Sequence, residues 1–335
     1  MRAWRLEAFG RGNLALREAE TPAPGPGQVL VRMAAASLNY RDLLIVDGSY
    51  DPRMRLPAVP LSDGAGTVAA IGEGVTRVAV GDRVAPIFVP GWHAGDNAEG
   101  RPALGGPLPG VAAEYHLCAA EDVVRLPGHL SWAEAATLPC AAVTAWHALF
   151  GHARVRPGDR VLILGTGGAA LFALQFAKLA GAEVAITSGS DAKLERARAL
   201  GADHLVNYAA DPRWGATVKR LFGDGADVVV ELGGGGTIAQ SVRAVRRGGT
   251  VLLIGSVTGG RAADLDLVPV FMRGVRLQGV SVGHRDAFTA MLRAIGHHRL
   301  RPVIDAEFPF ERLPDALAHL AGGGAFGKVV VTIGD

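Results

Sequence analysis

Cysteine is scarce in this chain. Its 335 residues include only two, Cys118 and Cys140, which excludes a disulfide framework as the basis of the fold. The N-terminal stretch MRAWRLEAFG places Arg5 and Glu7 among its apolar side chains, whereas a secretory signal needs an uninterrupted apolar core. Both observations predict a protein of the reducing cytoplasm.

An excess of charge of one sign is also absent. The chain has 34 Lys and Arg against 32 Asp and Glu, with no basic run that would attract nucleic acid or an acidic membrane surface. Its longest apolar stretch, residues 161–177, is interrupted by glycines and by Gln175, so it is typical of a strand followed by a helix and not of a membrane span. We therefore expect no nucleic-acid partner and no membrane partner.

Glycine, in contrast, is abundant, and one glycine turn organises the chain. A short apolar run at residues 160–164 is followed by a glycine turn and then directly by an apolar helical segment. Without side chains the backbone can approach a pyrophosphate closely, and the helix N-terminus offers N–H groups to it. This order predicts a dinucleotide-binding turn, with alanine in the third position of the fingerprint. The expected cofactor-binding residues here are Gly165, Thr166, Gly167, Gly168, Ala169 and Ala170.

The segments around this turn alternate between strand and helix. Their continuous Val, Ile and Leu runs predict a parallel sheet of six strands with helices on both faces, which is a doubly wound Rossmann sheet of the α/β class. This context favours a nucleotide site over a glycine-rich turn of some other α/β fold. The expected strands are residues 160–164, 183–187, 204–207, 226–231, 250–255 and 276–282, and the expected helices between them include 191–200, 216–222 and 237–246.

The flanking regions differ in character. Residues 1–125 consist of short strand-like runs separated by Gly and Pro turns, which predicts an antiparallel, barrel-like β domain. Residues 90–109 read as a long irregular loop of the kind that often borders a site. Residues 131–148 are predicted to be helical, because Ser131 and Glu134 form a capping box. The remaining expected elements are strands at 14–17, 29–37, 66–71, 83–88, 114–119 and 328–333, and helices at 284–295 and 310–320.

Several motifs together resemble the medium-chain dehydrogenase/reductase superfamily over nearly the whole chain. They are NYRDLL at 39–44, PLSDGAGTVAAIGEGV at 60–75, GDRV at 81–84, AEYHL at 113–117, LPCAAVTAWHAL at 138–149, GTGGAALFALQFAK at 165–178, GADHLVNY at 201–208 and GKVVV at 327–331. The resemblance implies a GroES-like, β-rich catalytic domain at 1–124 to which 284–335 return. It also implies a Rossmann domain at 125–283 and an active cleft where the two domains meet.

The resemblance bears on metal as well. In the zinc branch of the superfamily a cysteine, a histidine, an acid and a cysteine stand where Asn39, Ser62, Asp63 and Cys140 lie here. Only Asp63 and Cys140 could ligate, because an amide and a hydroxyl replace the strong donors. The structural zinc lobe of that branch needs cysteines in residues 90–109, and that stretch has none. We therefore expect no zinc and no other metal.

Asn39 and Tyr40 resemble instead the NY pair of the zinc-free quinone oxidoreductases. That resemblance implies catalytic roles, in which Asn39 orients the nicotinamide ribose or a substrate oxygen and Tyr40 offers a hydroxyl donor. The alternative for Tyr40 is an ordinary half-buried strand tyrosine, with the proton taken from water. Asp42 is expected to be structural, and Cys140 to be a packing thiol.

The residues at the end of the second predicted Rossmann strand, 183–187, indicate which nicotinamide cofactor is bound. The acid that would bind the ribose 2′-OH of NAD is missing there, and Ser188 and Ser190 can donate to a phosphate instead. Lys193 and Tyr208 lie where quinone oxidoreductases contact a 2′-phosphate, although Lys193 also fits a solvated helix lysine. We expect NADP(H) in preference to NAD(H). Family motifs add Thr144, Gly255, Val257, Val282 and Lys328 as nicotinamide-side or cleft contacts.

The expected activity is NADPH-dependent, zinc-independent hydride transfer to a quinone, an enone or a related activated carbonyl. The expected partners are this small-molecule substrate and a second copy of the chain in a homodimer. Two alternatives stay open, an alcohol dehydrogenase of the same superfamily and a non-catalytic NADPH-binding protein.

Overall fold

The computed structural model describes residues 1–95 and 100–334. The strands are β1 (Arg2–Leu6), β2 (Leu14–Glu18), β3 (Gln28–Leu38), β4 (Asp63–Ile71), β5 (Arg83–Pro86), β6 (Tyr115–Ala119), β7 (Val123–Arg125), β8 (Arg160–Leu164), β9 (Glu183–Ser188), β10 (His204–Asn207), β11 (Ala226–Glu231), β12 (Val245–Leu253), β13 (Arg276–Gly279), β14 (Ile304–Pro309) and β15 (Lys328–Thr332). The α-helices are α1 (Tyr40–Val46), α2 (Trp132–Ala136), α3 (Val143–Trp146), α4 (Gly168–Leu179), α5 (Asp191–Ala199), α6 (Trp214–Leu221), α7 (Ile238–Ala244), α8 (Val268–Met272), α9 (Arg285–His298) and α10 (Leu313–Ala321).

The chain divides into two compact units. The terminal unit combines Met1–Val143 with Val282–Asp335, and the central unit is Thr144–Ser281. Between β7 and β8, the predicted helical stretch begins at Ser131, which accepts a hydrogen bond from the N–H of Glu134 and confirms the capping box. That stretch also contains π-helical turns at Leu138–Ala142 and His147–His152.

The terminal unit is built on a seven-stranded sheet with the order β14-β15-β3-β4-β5-β7, in which β6 also pairs with β3. Most pairs are antiparallel, as the sequence predicted, but β14 and β15 run parallel. Parallel neighbours need a crossover connection, and α10 supplies it. The apolar core of this unit includes Trp4, Leu38 and Phe310.

The register of β3 determines which side chains meet at its C-terminal end. On one side β15 pairs antiparallel, with Val329 opposite Leu38. On the other side β4 pairs antiparallel, with Asp63 opposite Ser37. The residue that follows β3 therefore lies between the first residues of two neighbouring strands, although these come from distant parts of the chain.

The central unit is a six-stranded sheet with the order β10-β9-β8-β11-β12-β13, and every pair in it is parallel. The chain first winds outward in one direction from β8 and then returns to wind outward in the other, which is the doubly wound Rossmann topology. This prediction is confirmed. The strand β12 begins at Val245, earlier than expected, because Val245 pairs with Ala226 before a register shift.

One helix of the terminal unit was not predicted. Helix α1 follows β3 directly, with Asn39 as its N-cap, and the Asp42 carboxylate accepts a hydrogen bond from the Asn39 N–H at 2.7 Å. The helix is short, so sequence periodicity has little to detect. Asp42 is structural as expected, but the alternative of a half-buried strand tyrosine is wrong, because Tyr40 is the first helical residue and is 43% exposed.

Part of the predicted loop at residues 90–109 lies outside the described residues, namely 96–99. Within the described ranges, no helix combines the length and the apolar character that crossing a bilayer requires.

Candidate active site

The glycine turn of the central unit leaves bare backbone at the C-terminal end of β8. Gly165 has φ +78°, a left-handed conformation that favours glycine, and its N–H donates to Thr187 Oγ1 at 3.2 Å. A Cβ atom added at Gly165 or at Gly167 would meet no atom within 4 Å. The space above this backbone is therefore open.

Helix α4 begins at this open space. Gly167 is its N-cap, no side chain caps its N-terminus, and the helix runs for 12 residues before Gly181 ends it with φ +76°. An N-terminus of this kind presents N–H groups and the positive end of the helix dipole to an anion. The residues present thus fit the pyrophosphate of a dinucleotide.

A second group of predicted residues lies at the same edge of the sheet, where β9 ends. The Tyr208 N–H donates to the Ser188 carbonyl at 3.1 Å, and a Cβ atom on Gly189 would lie only 3.0 Å from the Tyr208 ring. The Ser190 hydroxyl accepts from the Lys193 N–H at 3.4 Å. The structure thus brings the serines, Lys193 and Tyr208 together, and β9 pairs directly with the strand that carries the glycine turn.

Asp191 is the acid nearest to this group along the chain. Its carboxylate accepts a hydrogen bond from Asn207 Nδ2 at 2.7 Å, and it occupies the first turn of α5. This placement agrees with the expectation that Asp191 serves the helix N-terminus.

A residue that the sequence analysis missed organises the next loop of the central unit. Glu231 ends β11 fully buried, and its carboxylate accepts from the N–H groups of Gly233 at 2.7 Å and Gly234 at 2.9 Å. The hydroxyls of Thr237, at 2.6 Å, and of Ser241 also donate to it. An acidic residue at the end of an apolar strand, directly before a run of glycines, is the signal that could have found it.

The remaining predicted cofactor contacts of the central unit are placed as follows. Gly255 follows β12 and packs closely against Leu232, since a Cβ atom on Gly255 would lie 2.3 Å from the Leu232 carbonyl oxygen. Val257 is 55% exposed, and Thr144 is buried in α3. Val282, buried as well, is the first residue of the second segment of the terminal unit.

In the terminal unit, a cluster of buried polar side chains surrounds Asn39. Lys328, the first residue of β15, donates from Nζ to Asn39 Oδ1 at 2.6 Å and also to the Leu38 carbonyl. Asn39 Nδ2 lies 3.5 Å from Ser62 Oγ, and the Ser62 hydroxyl donates to Asp63 Oδ1 at 2.7 Å. We refer to Asn39, Ser62, Asp63, Cys140 and Lys328 as the Asn39 cluster.

Burial dominates the electrostatics of this cluster. It raises the pKa of Asp63, an effect that Lys328 and the hydrogen bonds from Ser62 and Asn39 oppose. It lowers the pKa of Lys328, an effect that Asp63 opposes. Burial also raises the pKa of the nearby Asp42 carboxyl to about 6. Burial thus favours the neutral form of each group, and the attraction between Asp63 and Lys328 favours the charged forms.

The donor atoms of the Asn39 cluster do not fit a catalytic zinc ion. Asp63 already accepts from Ser62 through Oδ1 and from the Cys140 N–H through Oδ2 at 3.0 Å. The Asn39 amide and the Ser62 hydroxyl are weak zinc donors, so Cys140 is left as the one thiol of the cluster. In the part of the chain that the structure describes, no group of three or more His, Cys, Asp or Glu side chains could hold a metal ion.

Two family models match the chain. The alcohol dehydrogenase GroES-like domain matches residues 25–128, and the zinc-binding dehydrogenase model matches residues 168–296. A zinc-type alcohol dehydrogenase-like protein of Schizosaccharomyces pombe is 41% identical, over 98% of this chain and 97% of its own length. The chain belongs to the medium-chain dehydrogenase/reductase superfamily.

Other members of the superfamily are similar over the whole chain. A quinone oxidoreductase of Lama guanicoe is 30% identical, over 99% of this chain and 98% of its own length. The structure of an alcohol dehydrogenase of Sinorhizobium meliloti 1021, described as putative in its name, superposes with a TM-score of 0.92 at 42% identity and covers 99% of this chain and 98% of its own. Members of this superfamily are nicotinamide-dependent, and the chain is an NAD(P)H-dependent oxidoreductase with GroES-like and Rossmann folds.

Proposed function

We propose that the protein is an NADPH-dependent, zinc-independent reductase of quinones, enones or related activated carbonyl compounds. The Asn39 cluster carries this proposal. Its amide and hydroxyl stand where zinc enzymes of the superfamily have a thiolate and an imidazole, and its one carboxylate accepts hydrogen bonds through both oxygens. A reductase that needs no Lewis acid must stabilise the developing negative charge with hydrogen-bond donors, and we assign that role to the Asn39 amide.

The serine-rich turn after β9 supports NADP(H). Ser188, Ser190 and Tyr208 are neutral donors, and Lys193 adds a positive charge on the first turn of α5. The carboxylate of Asp191, which would repel a 2′-phosphate, is bonded to Asn207. A superposable structure is named an NAD-dependent alcohol dehydrogenase, with a TM-score of 0.94 and 34% identity, so cofactor preference is the first property to measure.

The chemistry divides between cofactor and protein. When bound, the reduced nicotinamide supplies a hydride for the electrophilic carbon of the substrate. We assign to Asn39 a hydrogen bond from Nδ2 to the substrate oxygen, which gains negative charge as the hydride arrives. Tyr40, exposed at the start of α1, offers its hydroxyl as a proton donor, and water is the alternative source.

The proposal extends to domain roles and assembly. Residues 1–124 with 284–335 are assigned to catalysis and 125–283 to cofactor binding, with Thr144, Gly255, Val257 and Val282 as contacts. Residues 125–143 and Val282 nevertheless pack with the terminal unit, so these boundaries differ from those of the compact units. We propose a cytoplasmic homodimer, because the outer strand β13 is exposed along its length and the neighbouring Phe271 and Met272 are 66% and 62% exposed.

Two measurements on purified protein test the proposed function. Oxidation of NADPH is followed with a panel of quinones and short enones, and the same preparation is analysed for metal. We expect turnover with at least one of these substrates, faster with NADPH than with NADH, and unchanged after chelation. Stoichiometric zinc, together with loss of turnover on chelation, would overturn the proposal.

The names of the relatives favour a second candidate, an alcohol dehydrogenase. The discriminating assay is oxidation of primary and secondary alcohols with NAD and NADP. Tight NADPH binding without turnover in either direction would identify the remaining alternative, a binding protein without catalytic activity.

A further inference from the structure

The Asn39 amide is held at both of its ends. Its oxygen accepts a hydrogen bond from Lys328 Nζ at 2.6 Å. Its nitrogen faces Ser62 Oγ at 3.5 Å and also interacts with the Asp63 carboxyl group. The amide therefore lies between a basic and an acidic side chain, both of which are buried.

The chemistry of these neighbours determines the direction of every bond. Lysine is a hydrogen-bond donor, and the oxygen of an amide side chain only accepts. Lys328 Nζ donates to Asn39 Oδ1, and the Ser62 hydroxyl donates to Asp63 Oδ1 at 2.7 Å. The Asn39 amide cannot rotate by half a turn without placing its NH₂ group against Lys328 Nζ.

Lys328 is directed toward Asn39 and away from solvent. Only 3% of the residue is exposed, and its Nζ donates to two oxygen atoms, those of the Leu38 carbonyl and the Asn39 side chain. The pairing of β15 with β3 holds this geometry, because Val329 lies opposite Leu38. The family motif implies that Lys328 contacts the cofactor directly. Such a contact would not explain why Lys328 Nζ bonds to the Leu38 and Asn39 oxygen atoms.

We propose that Lys328 is a positioning residue that acts through Asn39, by orienting and polarising the amide so that one Nδ2–H faces the adjoining Ser62 and Asp63 and the other faces the substrate oxygen. This inference rests on the proposed function, because it assumes that Asn39 donates to that oxygen. A donor bonded to the amide oxygen draws electron density from the nitrogen and makes its N–H groups stronger donors. A donor that is already oriented needs no reorganisation as charge develops.

The first test observes the amide directly and needs neither cofactor nor substrate. The side-chain amide resonances of Asn39 are assigned in ¹⁵N-labelled protein by their loss in Asn39→Ala. Lys328→Met should shift or broaden them, and Lys328→Arg, which keeps a donor, should restore them in part. The matched control is Thr332→Val on the same strand, which removes an exposed hydroxyl bonded to Phe308 and should leave the Asn39 resonances in place.

The second test is a double-mutant cycle on turnover. Lys328→Met should lower kcat by about 10- to 100-fold with KM changed less than about threefold, as expected for loss of a transition-state interaction. In the Asn39→Ala background the same substitution should change kcat by less than about threefold, because coupled residues are not additive. If Lys328→Met does not fold, Lys328→Gln, which keeps an N–H donor, takes its place with a smaller expected loss.

The outcomes separate the inference from the proposed function. Unmoved Asn39 resonances, or an equal loss of kcat with and without Asn39, would overturn the role of Lys328 even if the enzyme reduces quinones. If no quinone, enone or other activated carbonyl compound is reduced, the proposed function fails. The amide resonances still support the orienting contact if they move and contradict it if they do not.

Discussion

The two candidate regions of this protein are built by different means. In the central unit, the nucleotide turn consists of backbone: glycines with open space above them and a helix N-terminus without a side-chain cap. In the terminal unit, the Asn39 cluster consists of side chains that bond to one another, and Ser62, Asp63 and Lys328 among them are buried. The nucleotide turn offers open space to a ligand, so adding a side chain there should weaken binding. The Asn39 cluster is already filled by bonded side chains, so removing one of them should be the damaging change.

The largest expected effect is a loss of nucleotide affinity when a side chain is placed in the open space above the nucleotide turn. Gly167 has φ −78°, which any residue adopts, and an added Cβ meets nothing within 4 Å, so Gly167→Leu should fold normally. Its side chain would occupy the path of the pyrophosphate, and we expect nucleotide affinity to fall at least about 100-fold. Titration of NADPH fluorescence measures this, with Gly324→Leu, another open glycine, as the control. Retained affinity in Gly167→Leu would contradict the assignment of the turn.

Buried polar groups of the terminal unit should make its stability depend on pH. Burial lowers the pKa of His116 from 6.5 to about 4, so the unfolded chain binds a proton in this range and the folded chain does not. Stability should fall by roughly 3 kcal/mol as the pH drops from 6.5 to 4. Asp42 acts in the opposite direction, since its pKa is raised to about 6 in the folded state.

The contribution of His116 is therefore measured as a difference between two proteins. Urea unfolding is followed from pH 7 to pH 4 for the wild type and for His116→Asn, whose amide can still donate to the Gly110 carbonyl. The wild type should lose more stability on acidification than the variant. Parallel pH profiles would show that the buried imidazole does not control acid stability.

Glu231 allows the same comparison within the central unit, because it is a buried side chain that holds the loop after β11 by hydrogen bonds. Glu231→Gln replaces one acceptor oxygen by an NH₂ group that faces N–H and O–H donors, and it should cost about 2 kcal/mol of unfolding free energy. Chemical denaturation gives this value. Glu195→Gln is the matched control, because Glu195 is an exposed helix residue that pairs with Arg198, and its loss should cost less than about 0.5 kcal/mol. Equal losses of unfolding free energy in Glu231→Gln and Glu195→Gln would contradict the proposal that Glu231 holds the loop in place.

The smallest expected effect is a change in the preference for NADPH over NADH. Lys193 lies beside Ser190 on the first turn of α5, and its loss should weaken NADPH by about five- to tenfold while leaving NADH nearly unchanged. This is tested by measuring the dissociation constants of both nucleotides for Lys193→Ala. The control is Lys219→Ala, which removes a lysine from a different helix of the central unit, α6. Equal losses for NADPH and NADH would exclude Lys193 from a phosphate site.

The sequence determined the central unit almost completely. Strand, glycine turn and helix are neighbours along the chain, so short spacings contain both the Rossmann order and the position of the nucleotide turn. It missed Glu231, because the four donors around this carboxylate come into reach only when the loop after β11 folds back. It also missed α1, which is too short for a periodic signal.

The arrangement of the side chains in the Asn39 cluster depends on tertiary structure. The sequence identified Asn39, Ser62, Asp63, Cys140 and Lys328 separately, as positions matched to family motifs. The antiparallel pairing of β3 with β4 and β15 places Asn39 between Lys328 and Ser62, residues that are far apart along the chain. Strand register is a property of the folded sheet, so no local pattern could have shown that the lysine donates to the amide.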